Sequence, residues 1–316
     1  MSEAAPPAPD EDALSGRKFV RWNLGALLAG LLVLGAGALV PRGPAASAAE
    51  EADPAGLLLQ ARWDDGLAEV ARYAAVRRIY EQEREYELVR VAVKEPFDPA
   101  LRVKPDAARP GVIDAIKTVA AHRIAVPPRP YEYRLSLVTR VARLEPARLL
   151  DATLSSQEWC GNTFALVRGA LPERAWRREV RSYFDGEGER EDELPAGTVL
   201  EDQLPLLVRA LDLSGGPREV SLLPALLGNK APATRPYPAR ITRRGAGVPV
   251  EVPAGRFLAD EVAVQALDGS SSGERPVLRY WVARTGERAL LRFEDATGRG
   301  ALTSLERVAY WRAEGR

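Results

Sequence analysis

One cysteine, Cys160, stands in a chain of 316 residues, so an intrachain disulfide is excluded. Its position also excludes an N-terminal lipoprotein anchor, which needs a cysteine just behind the export segment. Histidine is equally scarce: His122 is the only imidazole, and any histidine-based chemistry has that one candidate. Neither sign of charge is in excess, with 44 basic and 44 acidic residues, so no global field draws nucleic acid or anionic lipid. The sequence has no long basic stripe, no zinc-ligand spacing and no nucleic-acid motif. No glycine loop of phosphate-binding type sits between a strand and a helix. Nucleic acid, metal and cofactor are therefore not expected as partners.

What is present is globular in composition, 46% hydrophobic and 28% charged, and long enough for a sizeable core. Residues 1–23 are rich in Ala, Pro, Asp and Glu, a disordered segment on the cytoplasmic side that ends with Arg17, Lys18 and Arg21. Residues 24–40 follow as an uncharged run of Leu, Ala, Gly and Val. At about 17 residues it is short for a transmembrane helix and slightly long for the core of a signal peptide. Ala46-Ser47-Ala48 supplies a cleavage pattern, while Arg42 and the long N-terminal region favour retention as a single membrane anchor. Both readings stay open, and both put the rest of the chain outside the cytoplasm. The expected location is the periplasm or cell envelope, secreted or anchored to the inner membrane. In the anchored case the membrane is itself a partner through residues 24–40. Residues 41–56 read as a linker and 57–316 as an extracytoplasmic β-rich domain, with two lobes joined near 214–238 as an option.

Period-two alternation recurs through that domain. Over 131–141, Tyr131, Tyr133, Leu135, Leu137, Thr139 and Val141 share one face, opposite Glu132, Arg134, Ser136 and Arg140. Over 86–95, Val89, Val91 and Val93 oppose Arg90, and over 258–266, Leu258, Val262, Val264 and Ala266 oppose Ala259, Glu261 and Gln265. Turn residues cut the tail into strand-length pieces at 256–267, 277–284, 289–295 and 301–311. The fold class expected is mostly β: an antiparallel meander or curved sheet, half-barrel or sandwich-like, with one or two helices. One helix is predicted near 200–213. Thr198 and Glu201 have capping-box spacing, Leu200, Leu204, Leu207 and Leu211 form an apolar stripe, and Pro205 fits the first turn. Its apolar face is expected to pack on the sheet.

Several stretches resemble an uncharacterised family of exported bacterial envelope proteins, some of which carry an unsupported septum-formation-inhibitor label. They are 63–73, Lys94-Glu95-Pro96-Phe97, Ser156-Gln157-Glu158-Trp159-Cys160-Gly161 and Ser182-Tyr183-Phe184. The string Val252-Pro253-Ala254-Gly255-Arg256-Phe257, with its later Tyr-Trp strand, is similar to a broader group of envelope domains of unknown function. The resemblance implies an envelope protein with a curved sheet around a helix, as in lipoprotein carriers. It implies no catalytic residue.

Cys160 and His122 make the only Cys–His pair available, with Glu158 or Asn162 to orient it, and a thiol hydrolase or transferase would need them in contact. Otherwise Cys160 packs as a small apolar side chain beside Trp159, and His122 is a satisfied strand-end residue. No cation adjoins Cys160 in sequence to lower its pKa, so the packing role is expected. The acidic loop 185–193 lacks EF-hand spacing and reads as a solvated hairpin. Gly269-Ser270-Ser271-Ser272-Gly273 matches a nucleophile-elbow string without the following helix and reads as a flexible loop. Tyr280, Trp281, Tyr310 and Trp311 pack in the core or, with Trp159, line a hydrophobic groove for an acyl chain or peptide. The expected function is non-enzymatic binding of a hydrophobic ligand or partner protein in the envelope. The alternatives are the thiol enzyme and a membrane-tethered structural protein.

Overall fold

The structure is a computed structural model that describes residues 52–169, 176–231, 233–267 and 277–312. The expected signal or anchor helix at 24–40 and the Gly-Ser loop at 269–273 lie outside the described residues. Among the described residues no helix is long and apolar enough to cross a membrane.

Among the described residues fifteen strands form one sheet. They are β1 (Ala68–Ile79), β2 (Gln82–Phe97), β3 (Ile113–Ala125), β4 (Glu132–Ala142), β5 (Glu145–Glu158), β6 (Gly161–Arg168), β7 (Trp176–Ser182) and β8 (Glu189–Leu194). Then come β9 (Thr198–Leu200), β10 (Arg218–Leu223), β11 (Tyr237–Val252), β12 (Gly255–Ala266), β13 (Leu278–Ala283), β14 (Leu290–Asp295) and β15 (Gly298–Val308). The spatial order runs β8 back to β1, then β15 back to β9. All pairs are antiparallel except β9 with β10. The sheet curls into a nearly closed barrel whose two edge strands, β8 and β9, follow each other through the turn at 195–197. The described residues form one compact unit, with no separate lobes on either side of the expected junction near 214–238. That connector instead joins neighbouring strands of the same sheet.

The one α-helix among the described residues, α1 (Leu204–Ala210), lies within the curl. It is seven residues long, too short to be stable alone, and all of its residues are buried. Leu204, Leu207 and Val208 are essentially inaccessible, and each contributes about 1.5–3 kcal/mol of burial. The helix is therefore stabilised by enclosure rather than by resting one stripe on a sheet. Pro205 occupies its first turn, as its missing N–H allows. The Thr198–Glu201 capping box does not form. Gln203 accepts from the Leu200 N–H instead, at 2.8 Å, and the Thr198 hydroxyl donates to the Pro195 carbonyl.

The inner face of the sheet and α1 share one core that includes Tyr73, Leu88, Ile116, Leu154, Tyr280 and Phe293. Phe293 fits because Gly300 stands opposite it across the β14–β15 pair. A Cβ on Gly300 would come within 2.5 Å of the ring. The alternation expected over 86–95 exists, but its faces are reversed. Val89, Val91 and Val93 lie outside, where they pack with Ala68, Val70 and Val308. Arg90 points inward, over the Phe293 ring at 5.4 Å.

Candidate functional site

Strand direction sorts the turns to two ends of the barrel. One end, termed the rim, collects the turns at 80–81, 126–131, 159–160 and 183–188, and the connector 224–236. The opposite end, the base, collects 52–67, 98–112, 211–217, 284–289 and the segment after β15.

The rim is aromatic. The β1–β2 hairpin has only two turn residues, and Tyr80 and Glu81 both adopt positive φ, at 51° and 62°. That geometry matches the twist of paired strands but is costly without glycine or asparagine. It aims the Tyr80 side chain across the rim. The Tyr133 hydroxyl donates to that of Tyr80 at 2.7 Å, and the Tyr80 and Tyr131 hydroxyls lie 3.2 Å apart. Arg129 stacks over the Tyr80 ring at 4.0 Å, and Tyr131 lies 6.2 Å from the Trp159 ring. The hydrogen bond to Tyr80, ahead of burial, pushes the Tyr131 hydroxyl up to about 12. Burial, then Tyr80, pushes Tyr133 well above the ordinary tyrosine range. Both phenols therefore stay neutral donors at physiological pH.

A surface concavity of about 590 Å³ opens beside them, lined among others by Arg129, Tyr131, Glu132, Gln157 and Trp159. Trp159 at the tip of the β5–β6 hairpin is 77% exposed and Tyr183 is 74% exposed, unusual values for such large apolar rings. Tyr183 lies against Gly161, where any Cβ would come within 2.5 Å of its ring. The connector 224–236 closes the rim beside the open edge. Arg178 holds Thr234 and the Thr163 hydroxyl donates to the Asn229 carbonyl at 2.6 Å. Arg77 holds the Leu227 carbonyl from inside at 2.8 Å.

The residues singled out from sequence do not converge. Cys160 is exposed at the rim, so the expected packing role is corrected. A hairpin tip two residues long has no interior in which to bury it. His122 is 1% exposed and points into the barrel, stacked on Tyr86 with ring centroids 5.0 Å apart. Neither of its nitrogens has a hydrogen-bond partner in the structure, so it is not a satisfied strand-end residue. Register places Ser156 level with His122 through Leu135, two strands away. Cys160 lies in the turn beyond the Glu158–Gly161 pair, about three strand steps or roughly 10 Å further on. The pair is not in contact, and the thiol-enzyme alternative loses its geometry.

Trp159 belongs to the rim, but its expected groove partners do not. Tyr280 is fully buried in the core, and Trp281, its neighbour on β13, faces outward under Arg292 at 4.8 Å. Consecutive strand residues must point to opposite faces. Tyr310 and Trp311 stack edge to face at the base, 5.0 Å apart. The five residues therefore do not line one groove. Tyr80, Tyr131, Tyr133 and Arg129 take that place beside Trp159. The Tyr-Glu-Tyr alternation at 131–133 was readable as a strand, but nothing local signalled that it would meet Tyr80.

Among the described residues no group of His, Cys, Asp and Glu is arranged to hold a metal ion. No family model matches the chain, and no curated protein matches it. Solved structures similar to it include two proteins of unknown function. One is a β-barrel-like protein of the domain of unknown function DUF1849 from Brucella abortus. It is 10% identical, with a TM-score of 0.46 over 77% of this chain and 98% of that one. The other is a DUF1089 family protein from Pseudomonas aeruginosa, 14% identical, with a TM-score of 0.33 over 63% of this chain and 87% of that one.

Proposed function

We propose that this β-barrel-like chain is a non-enzymatic binding protein of the bacterial envelope that grips a partner protein through its aromatic rim. Export rests on the basic residues and apolar run before 41, which either leave with a signal peptide or tether the domain to the inner membrane. The observation that carries the binding reading is the exposure of Trp159 and Tyr183 beside a concavity lined by Tyr131 and Arg129. Aromatic and arginine side chains supply most of the binding energy at protein interfaces. A partner protein is favoured over an acyl chain because α1 and the inner side chains fill the barrel. A photo-crosslinking residue at position 159 or 183 of the full chain, in the native bacterium, should give a discrete adduct in the envelope fraction. The same residue at Leu144 or Tyr310, on the base, should give none. Equal adducts from both ends, or none from the rim, would overturn the reading.

A further inference from the structure

The base carries exposed apolar side chains of its own, on loops that arginines fasten to the wall. In the β2–β3 connection Arg102 adopts positive φ, at 57°, and donates to the Leu150 and Gly169 carbonyls at 2.9 and 3.0 Å. Asp98 fastens the same loop, accepting from the Ala100 and Leu101 N–H groups and from Arg109. The neighbours of Arg102, Leu101 and Val103, are left exposed, Leu101 at 64%. At the tip of the β4–β5 hairpin Arg143 donates to the Leu58 carbonyl at 2.8 Å and to Asp64 and Asp114. Leu144 beside it is 76% exposed, and Leu59, one residue past that carbonyl, is exposed too. After β15, Arg307 donates to the Arg62 and Leu67 carbonyls and to Asp65, and the half-exposed Tyr310 and Trp311 follow. Loops fastened in this way cannot fold their apolar side chains out of water, and a cluster of such side chains marks an interaction surface.

Two observations select a lipid surface as the occupant. The chain enters at this end, where the Ala52 N–H donates to the Arg284 carbonyl of the base at 2.9 Å. Residues 41–51 alone separate Ala52 from the uncharged run at 24–40, and eleven residues extend at most about 40 Å. The path along β2 from rim to base is sixteen residues, or about 50 Å. A tether of that length, starting at the base, keeps the base and not the rim at a bilayer spanned by 24–40. The chemistry agrees, because Leu and Val beside Tyr and Trp is the mixture found where acyl chains meet headgroups. Lys104 follows Val103 and Arg312 follows Trp311, both are exposed, and neither makes an ion pair among the described residues. Cations in those places suit anionic headgroups.

We propose that the base is a lipid-facing surface, with Leu59, Leu101, Val103, Leu144, Tyr310 and Trp311 seated in the headgroup boundary of the bilayer. The proposal rests on the anchored reading of 24–40 and leaves the rim, at the far end, free for a partner. Cys160, the only cysteine, is exposed at the rim and takes a fluorescent maleimide there. Cys160→Ala with Leu101→Cys or Leu144→Cys moves the label to the base. The full chain is reconstituted into vesicles of phosphatidylcholine and phosphatidylglycerol, with or without a lipid carrying a nitroxide quencher high on its acyl chain. Emission from the two base positions should fall at least about twofold with the nitroxide lipid, and emission from Cys160 should not change. Leu59→Asp with Val103→Asp, both at exposed positions, should remove most of the quenching at position 144. Chains that float with the vesicles but whose base labels are quenched no more than Cys160 would overturn the proposal and leave the anchor standing. Chains that do not float with the vesicles would end the anchored reading and the proposal together. Base labels shielded from iodide in water, yet not reached by the nitroxide lipid, would mean that a second copy covers this face, and that result too would overturn the proposal.

Discussion

Inward-facing arginines of this barrel are finished in two different ways. Near the base, Arg209 of α1 makes a bidentate pair with Glu69 at 2.7 and 2.9 Å, and Arg62 joins the same carboxylate at 2.8 Å. Arg209 also donates to the Arg288 and Glu287 carbonyls, and Arg288 returns a bond to the Arg209 carbonyl at 2.7 Å. Burial pushes Glu69 up, but Arg209 and Arg62 outweigh it and hold the carboxyl below its ordinary range. This network joins helix, wall and base loop. Further along the same wall, Arg90 stands opposite Ala71 and Arg77 six residues nearer the rim, and neither makes an ion pair among the described residues. The first site fastens the helix, whereas the second keeps donors available. An inward-facing arginine is therefore not by itself a structural tie; the state of its partners decides.

The largest expected effect comes from breaking the finished site. Glu69→Gln leaves Arg209 and Arg62 without a counter-charge and should cost about 3–5 kcal/mol. The double change Glu69→Leu with Arg209→Met should recover a large part of that. Urea unfolding of the three proteins checks it, and equal losses in the single and double variants would deny the pairing its importance.

Next in size is the pH dependence of the open site. Asp202 titrates at about 7 in the folded protein against an ordinary 3.8. Below about pH 4 both states hold the proton. As pH rises toward 7 the unfolded chain releases it first, so this group's contribution is lost across that window. Asp202→Asn removes the loss. It should gain on the wild type by roughly 2–3 kcal/mol between pH 5 and pH 8. Other carboxylates, such as Asp64 held near 2 by Arg143 and Lys94, drive the opposite trend, so only the difference between the two proteins is informative. A constant difference over that range would show Asp202 to be ionised throughout.

The smallest effect sharpens the contrast further. His122→Phe keeps the ring on Tyr86 and deletes two unpartnered nitrogens. Stability should be unchanged or rise by up to about 1 kcal/mol. A loss above that would mean that the imidazole has a hydrogen-bond partner after all.

Strand identity was largely legible in the sequence. The four tail segments fall on β12 to β15, and the run at 131–141 falls on β4. Local periodicity and turn residues act within one strand, and they suffice for that. The inner and outer faces were not legible wherever both carry apolar residues. Val89, Val91 and Val93 read as the core side of β2, yet Ala68, Val70 and Val308 cover them from outside. Arg90 could take the inner face because Ala71 and Ala120 arrive from other strands to make room. The candidate site was half legible. Trp159 was singled out, but its companions Tyr80 and Tyr131 are 51 residues apart in the chain and meet only across the rim.

By itself the sequence determined a mostly β chain, its turns, its one short helix and the impossibility of an internal disulfide. These follow from composition and from interactions between residues near each other in the chain. Only the tertiary structure decided that α1 lies within the sheet, that Cys160 is exposed while His122 is sealed in, and that Arg77 and Arg90 face inward. Those outcomes depend on the register of fifteen strands and on which end of the barrel each hairpin reaches. A shift of one residue in that register would turn every side chain of a strand to the other face, and no local signal encodes it.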